Sequence, residues 1–201
     1  PMFNLAEKMG LLMAQLCEGR VSDVDIVYSG EIAGFDTTSL TMSLLKGLLT
    51  PVLQDTVNFI NAMALAKDRS IKVKEGKSRE LVDFTNLISL DVKTDKGQFS
   101  VAGTLFTQKD LRLVKINDFY VEAIPEGNML IINNIDKPGI IGNLGTLLGK
   151  HAINIAGMTF GRLKKGGKAI TVLNIDSPVS ASVLEKIKKL EYIKEVKAIK
   201  L

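Results

Sequence analysis

A strand-to-helix turn in the last third of the chain carries the residues best suited to bind a small ligand. Asp136, Lys137, Pro138 and Gly139 follow an apolar run and precede a helical pattern. Pro138 fits a first helical turn, because its missing N–H would have no partner there in any case. Gly139 lets a ligand approach the backbone closely. The turn is therefore a candidate binding site.

The groups around this turn match the two charges of an amino acid. The unpaired N–H groups of Ile140 and Ile141 can hold a carboxylate at the helix N-terminus. Asp136 can accept hydrogen bonds from an ammonium group, and an amide of Asn134 or Asn154 can bind either end of the ligand. A plainer alternative is that Asp136 only caps the helix, as acidic residues commonly do.

The other chemically capable residues are few or scattered. His151 falls at the predicted C-terminal end of the same helix, where a capping or dipole role is expected. Cys17 lies beside apolar helical positions and is predicted to pack. With one His and one Cys, the chain cannot form a His/Cys zinc site or an internal disulfide. Arg112, Lys115 and Arg162 can either meet at an anion site or remain solvated surface charges.

Three glycines follow the turn inside the predicted helix. Gly142, Gly145 and Gly149 do not have the G-x-G-x-x-G spacing of a dinucleotide site, and no P-loop lysine motif is present. Close packing of helix on sheet, or a backbone contact to a second subunit, explains them better. No cofactor, metal or catalytic site is predicted in this chain.

Composition narrows the remaining classes. The 201 residues are 46% hydrophobic and 24% charged, as in a globular protein of one or two domains. No apolar run approaches the roughly 20 residues that cross a bilayer, so no membrane partner is expected. The net charge is +4, but the lysines are spread out and aromatic residues are only 5%, which argues against nucleic-acid binding. A chain that starts at Pro1 and has a single Cys is predicted to be a fragment of a cytoplasmic protein.

Residues 1–124 show the pattern of a mixed α/β domain. Apolar spacing predicts helices at about 5–16, 38–49 and 55–67, and Pro51 is expected to interrupt the second. Strands are predicted at 24–28, 71–73, 86–92, 98–106, 111–116 and 119–123. The turn signals 95–97 and 117–118 separate the last strands.

Residues 125–127 are predicted to be a linker, and residues 128–201 then follow a β-α-β-β-α-β order, the ferredoxin-like split unit. Ser182 and Glu185 have capping-box spacing at the start of its second helix. The predicted fold class is therefore α/β (α+β), with an N-terminal mixed domain followed by a ferredoxin-like domain.

The same residues carry a family resemblance. Residues 128–201 resemble an ACT domain, a module that senses small molecules, through the strings 136–145, 147–148 and 153–158. Residues 1–123 resemble the allosteric substrate binding domain that precedes it, through the strings 5–10, 28–33, 46–49, 83–88 and 101–106. The pair in this order resembles the C-terminal part of the D-3-phosphoglycerate dehydrogenase family, and the resemblance covers essentially the whole chain.

The resemblance implies a function in serine biosynthesis. The family oxidises 3-phosphoglycerate with NAD, and L-serine inhibits it by binding between two ACT domains that pair strand to strand. The serine-binding positions correspond to Asn134, Asp136 and Asn154, with the turn residues 138–141 beside them. Asn134 departs from the His or Tyr of relatives. The resemblance also implies a homodimer that can assemble into a tetramer.

The resemblance places NAD and the catalytic residues in upstream domains that this chain lacks, so the chain alone is not expected to be an enzyme. It also implies an anion site in the first domain, where Arg112 fits one basic position and Ile124 departs from another. Two alternatives remain, a subunit of an iron–sulfur L-serine dehydratase and a free-standing amino-acid sensor.

Overall fold

The computed structural model of the chain describes residues 1–78 and 83–201. The chain divides into two compact units, unit 1 (Pro1–Asn117) and unit 2 (Asp118–Leu201). No helix within the described ranges is both long enough and apolar enough to cross a lipid bilayer.

Unit 1 is built from helices and strands that alternate and then give way to consecutive strands. The elements that the structure describes there are α1 (Met2–Leu16), β1 (Val21–Gly30), α2 (Thr38–Leu53), α3 (Ala62–Asp68), β2 (Lys72–Ser78), β3 (Asn86–Thr94), β4 (Gly97–Leu105) and β5 (Leu111–Ile116).

The strands of unit 1 form one sheet in the order β2-β1-β3-β4-β5. β1 and β2 pair in parallel, with α2 and α3 in the connection between them, while the remaining pairs are antiparallel. Alternate residues of the central strands, such as Ile26, Ile88 and Leu90, are fully or almost fully buried. α1 packs on β4 and β3, and its predicted apolar residues are buried against that face. The mixed α/β architecture predicted for this part of the chain is confirmed.

Two glycines allow α1 and α2 to cross at very short range. A Cβ added to Gly47 would lie 2.0 Å from the carbonyl oxygen of Glu7 in α1. A Cβ added to Gly10 would lie 2.0 Å from the carbonyl oxygen of Leu44 in α2. The contact is therefore backbone against backbone, and a side chain at either position has no space.

A buried hydroxyl network attaches the edge strand β2 to the start of α2. Glu75 accepts hydrogen bonds from the hydroxyls of Thr37 and Thr41, and Thr41 lies 2.9 Å from the Tyr28 hydroxyl. Thr37, Thr41 and Tyr28 are all almost completely buried. Burial raises the pKa of Tyr28 far above its ordinary value, so its phenol stays protonated.

Two helix predictions in unit 1 were wrong. Pro51 does not interrupt α2, which continues to Leu53, because a proline in the last turn removes only one backbone hydrogen bond. The helix predicted at 55–67 begins only at Ala62. The side chains of Asn58 and Asn61 hydrogen-bond the backbone N–H groups of residues 58, 60 and 61, and this local turn replaces the first helical turns.

Unit 2 contains the split β-α-β-β-α-β arrangement. Its described elements are β6 (Phe119–Ala123), β7 (Asn128–Ile135), α4 (Ile140–Lys150), β8 (Ile155–Arg162), β9 (Lys168–Ile175), α5 (Ala181–Lys188) and β10 (Ile193–Lys200). The last four strands form an antiparallel sheet in the order β10-β7-β9-β8, which makes β8 an edge strand. The ferredoxin-like prediction for this part of the chain is confirmed.

Both helices of unit 2 cover the same face of its sheet. The core on that face joins Leu130 and Ile132 of β7 and Leu173 of β9 to Leu144 of α4 and Ile187 of α5. These side chains are at most 1% exposed. The apolar periodicity of the two helices is sufficient to explain this layer.

The predicted capping box of α5 was wrong. The N-cap is Ser180, whose hydroxyl accepts a hydrogen bond from the N–H of Val183 at 3.3 Å. Ser182 lies inside the first turn. The helix therefore begins two residues earlier than the Ser182–Glu185 spacing suggested.

Replacing Ser180 with alanine is expected to lower the free energy of unfolding of unit 2 by about 1 kcal/mol, because one helix N–H loses its partner. Ser182→Ala is the matched control and is expected to change stability by less than about 0.5 kcal/mol. Urea denaturation followed by circular dichroism measures both. Equal effects of the two substitutions would contradict the assignment of the cap.

Candidate ligand-binding site

The turn singled out in the sequence lies at the end of β7 and leads directly into α4. Gly139 is the N-cap of α4 and has a left-handed backbone with a φ of 93°, a conformation that favours glycine. No side chain caps the helix. The plainer interpretation of Asp136 as a helix cap is therefore wrong. Pro138 also lies just before the helix, not in its first turn.

Asp136 instead forms an ion pair across the sheet. Its Oδ2 accepts hydrogen bonds from Nη1 of Arg162 at 2.8 Å and from the N–H of Gly166 at 3.1 Å. The hydrogen bond from Arg162, followed by that from Gly166, lowers the pKa of Asp136 below its usual value. Asp136 is therefore a carboxylate at neutral pH, and its side chain remains 19% exposed.

The topology explains why Arg162 meets Asp136. β7 and β8 both pair antiparallel with β9, so they run in the same direction and end at the same edge of the sheet. Asp136 follows β7 and Arg162 ends β8. The sequence prediction grouped Arg162 with two distant basic residues, although the split β-α-β-β-α-β order already indicated this neighbour.

The side chain of Asn134, on β7, is buried within unit 2. It is 2% exposed, and its Oδ1 accepts a hydrogen bond from the buried hydroxyl of Thr171 at 3.1 Å. Its Nδ2 lies 3.2 Å from the carbonyl oxygen of Ile135. Both ends of the amide thus have partners within the chain.

Asn154 lies at the opposite end of the same sheet. It precedes Ile155, which is in register with Ile175 and, through β9, with Asn128 at the start of β7. Asp136 lies eight residues beyond Asn128, which corresponds to about 26 Å along the strand. The Nδ2 of Asn154 donates to Asp176 at 2.7 Å. One chain therefore does not bring Asn154 to Asp136.

The outer side of α4 is lined with glycine. Added Cβ atoms at Gly142, Gly145 and Gly149 would meet nothing within 4 Å in the part of the chain that the structure describes. The expectation of close helix-on-sheet packing at these positions was wrong. The glycines also lie within the helix and not in the strand-to-helix turn, so they do not fit a dinucleotide site.

Apolar side chains are exposed beside this glycine surface. Met158 and Phe160 of β8 are 52% and 39% exposed. They are in register with Leu173 and Thr171, which places them on the face that carries the helices. Ile141 at the start of α4 is 40% exposed.

The predicted anion-site residues are divided between the units. Arg112 and Lys115 both lie on β5, where Arg112 pairs with Thr104 of β4 and Lys115 pairs with Ala102. A register irregularity between Ala102 and Gly103 brings the two basic residues to one face of the sheet. Arg112 lies 5.4 Å from the ring centroid of Phe106. The third predicted member, Arg162, lies in unit 2 and is paired with Asp136.

Acidic residues lie near Lys115 on that face. Burial and the adjacent Asp25 carboxylate raise the pKa of Asp91, and Lys115 opposes this shift.

His151 is the C-cap of α4, as predicted from its position, and its Nε2 lies 3.2 Å from Nζ of Lys186. Cys17 is the half-buried C-cap of α1.

Comparison with known proteins agrees with this two-unit organisation. Residues 1–117 match the D-3-phosphoglycerate dehydrogenase intervening domain. The chain belongs to that family. Residues 128–192 match the ACT domain, so the intervening domain is followed by an ACT domain in the same chain.

Curated relatives extend this similarity over the full chain. The chain is 39% identical over 201 residues to a D-3-phosphoglycerate dehydrogenase of Methanocaldococcus jannaschii and 37% identical over 201 residues to one of Bacillus subtilis. It is 36% identical over 195 residues to one of Archaeoglobus fulgidus. The match covers all of this chain in the first two comparisons but only 38% of each relative.

Proposed function

We propose that this chain is the regulatory region of an NAD-dependent D-3-phosphoglycerate dehydrogenase and that its ACT domain binds L-serine between two copies of the chain. Residues 1–124 would form the first domain, 125–127 the linker and 128–201 the ACT domain. Serine would then act as the feedback inhibitor of the parent enzyme. The observation that carries the proposal is the Asp136–Arg162 pair at the exposed start of α4.

This pair has the charges that a zwitterion requires. Asp136 is a carboxylate that can accept hydrogen bonds from an ammonium group. Arg162 is 51% exposed, and its bond to Asp136 leaves further N–H donors for a carboxylate. The backbone N–H groups of the first turn of α4, at Ile140 and Ile141, lie at the same helix start and would be further donors to the ligand carboxylate.

Two copies of the chain can supply what one copy cannot. β8 is an edge strand, and edge strands offer N–H and C=O groups to a second strand. If two β8 strands pair antiparallel about a two-fold axis, the start of one strand lies beside the end of the other. Asn154 of the second copy then reaches the Asp136–Arg162 pair of the first. Met158 and Phe160 would be covered in the same contact.

Such an interface also provides a route for regulation. A ligand that contacts both copies favours the arrangement in which its two half-sites lie together. The inhibition of a parent enzyme would follow if that arrangement disfavours catalysis, since a coupling of this kind requires differential affinity. An added Cβ at any of the three α4 glycines would meet nothing within 4 Å among the described residues, so this side of the helix would allow a second copy to approach closely.

The serine assignment is tested by direct titration of this chain. Calorimetric titration with L-serine is expected to release or absorb heat that saturates near one serine per chain. D-serine is expected to bind at least about tenfold more weakly, because a site that fits one enantiomer leaves polar groups unpaired with the other. No saturable heat with L-serine, at concentrations where the chain is dimeric by light scattering, would refute the assignment.

A further inference from the structure

A cavity lies in the first domain, at the edge where α2 and α3 end and β1 begins. Its volume is about 460 Å³, within the range of small-molecule sites. The residues that matter for its chemistry are two arginines and an apolar wall, namely Arg20, Arg69, Leu48, Leu49, Val52 and Ile71. All of them belong to unit 1.

The charge of this cavity is positive. Among the described residues, neither the Arg20 nor the Arg69 guanidinium forms an ion pair. An adjoining groove of about 400 Å³ shares Arg20 and adds Lys93 and Asp95. The carboxylate of Asp95 accepts the backbone N–H of Arg20 at 2.7 Å. Among the lining residues, two arginines and a lysine thus outnumber one carboxylate, Asp95, while Lys93 also interacts with the nearby Asp23. A concave surface concentrates the field of the two arginines.

The backbone that carries both arginines is held in place. Asp95 receives the N–H of Arg20 and donates its own N–H to the Arg20 carbonyl at 3.2 Å. Gly19 beside it has a φ of 86°, and a Cβ there would lie 2.0 Å from Oδ1 of Asp95. The chain after Arg69 is fixed by the hydrogen bond from Ile71 to Ala66 at 2.9 Å. A fixed backbone reduces the entropy that a ligand must overcome on binding.

We propose that this cavity binds a small organic oxyanion, a carboxylate or a phosphate ester, that carries a short apolar chain. A guanidinium binds both kinds of oxyanion in a bidentate geometry. Leu48, Leu49 and Ile71 are 3–8% exposed and form a firm apolar wall, while Val52 is 62% exposed at the mouth. The site is separate from the proposed serine site, which lies in unit 2.

The proposal is tested by titrating the chain with sodium hexanoate and with hexyl phosphate, followed by amide chemical shifts. The expected result is saturation by at least one of the two, with shifts in the backbone of Val21, Leu49 and Ile71. The stronger of the two identifies the oxyanion. Inorganic phosphate and 1-hexanol are expected to bind at least about tenfold more weakly, because each offers only half of the interactions.

Variants then locate the site. Arg20→Gln and Arg69→Gln are each expected to weaken binding about tenfold, since each removes a charge-assisted hydrogen bond. Val52→Ser is expected to weaken hexanoate binding without affecting inorganic phosphate. Lys189→Gln is the matched control, because Lys189 is the C-cap of α5 in unit 2 and not part of the cavity, and it is expected to leave binding unchanged.

Two results would overturn the proposal. One is the absence of saturable shifts near the cavity in the wild-type chain with both probes, a measurement that needs no variant to fold. The other is equal binding by the wild type and by folded Arg20→Gln and Arg69→Gln variants. Loss of serine binding does not bear on this site, so the two proposals fail independently.

Discussion

Replacement of Gly47 by alanine is expected to lower the free energy of unfolding of unit 1 by about 3 kcal/mol, the upper part of the range for overpacked cores. The new Cβ would lie 2.0 Å from the Glu7 carbonyl oxygen and 2.9 Å from the Leu11 nitrogen. Both are backbone atoms of α1, so relief requires that the whole helix shift. Alanine's better helix propensity, about 1 kcal/mol, offsets only part of this cost.

The substitution is measured by urea denaturation together with amide hydrogen exchange in α1 and α2, because the two units can unfold in separate transitions. Gly34→Ala is the matched control. Its added Cβ would meet nothing within 4 Å among the described residues, and its stability is expected to stay within about 0.5 kcal/mol of wild type. If Gly47→Ala were as stable as Gly34→Ala, the close crossing of α1 and α2 would be incorrect.

Asp136→Ala and Asn154→Ala are each expected to weaken L-serine binding about 10- to 100-fold. Each removes a hydrogen bond to a charged group of the ligand, worth about 1.5–3 kcal/mol. Asp136→Ala also leaves the Arg162 guanidinium without its carboxylate, which disturbs the carboxylate end of the ligand. Titration calorimetry at a fixed dimer concentration gives the affinities.

Asn133→Ala is the control for these two variants. Asn133 lies on β7 next to Asn134, but its side chain donates to Glu195 at 3.0 Å on the β10 side of the sheet. Its serine affinity is expected to equal that of the wild type. If Asn133→Ala were as damaging as Asp136→Ala, the loss would reflect the stability of the sheet and not ligand contact.

Local patterns were sufficient for much of the fold. The strands β5 and β6 have the predicted ends, because alternating apolar residues and the turn at 117–118 between them define their limits. The order of elements in unit 2 followed from its regular spacing. Helix ends were harder, since Ser180 and Ser182 differ only in backbone geometry, and Asn58 and Asn61 form a turn that apolar spacing does not detect.

The sequence identified residues of the candidate site but did not predict which of them contact one another. The Asp136 turn was identified, whereas its partner Arg162 was assigned elsewhere because it is distant in sequence. The burial of Asn134 against Thr171 depends on register in the sheet, which residue types alone do not fix. The separation of Asn154 from Asp136 is likewise a property of strand direction, so a site that contained both residues would require a second copy of the chain.

The α1–α2 crossing and the Arg20–Arg69 cavity had no signal in the sequence. Gly10 and Gly47 are ordinary helix positions until the two helices meet. Arg20 and Arg69 are 49 residues apart and come together only because β1 and β2 are neighbours in the sheet. Both features arise from tertiary packing.

A subunit-mixing titration tests the shared serine site most directly. Asp136→Ala and Asn154→Ala chains are unfolded together, refolded as a mixture and titrated with L-serine. If each site takes Asp136 from one copy and Asn154 from the other, every mixed dimer regains one intact site. The mixture should then bind at wild-type affinity with about a quarter of the wild-type number of sites. If both residues act within one copy, or if serine does not bind there, the mixture recovers no wild-type sites.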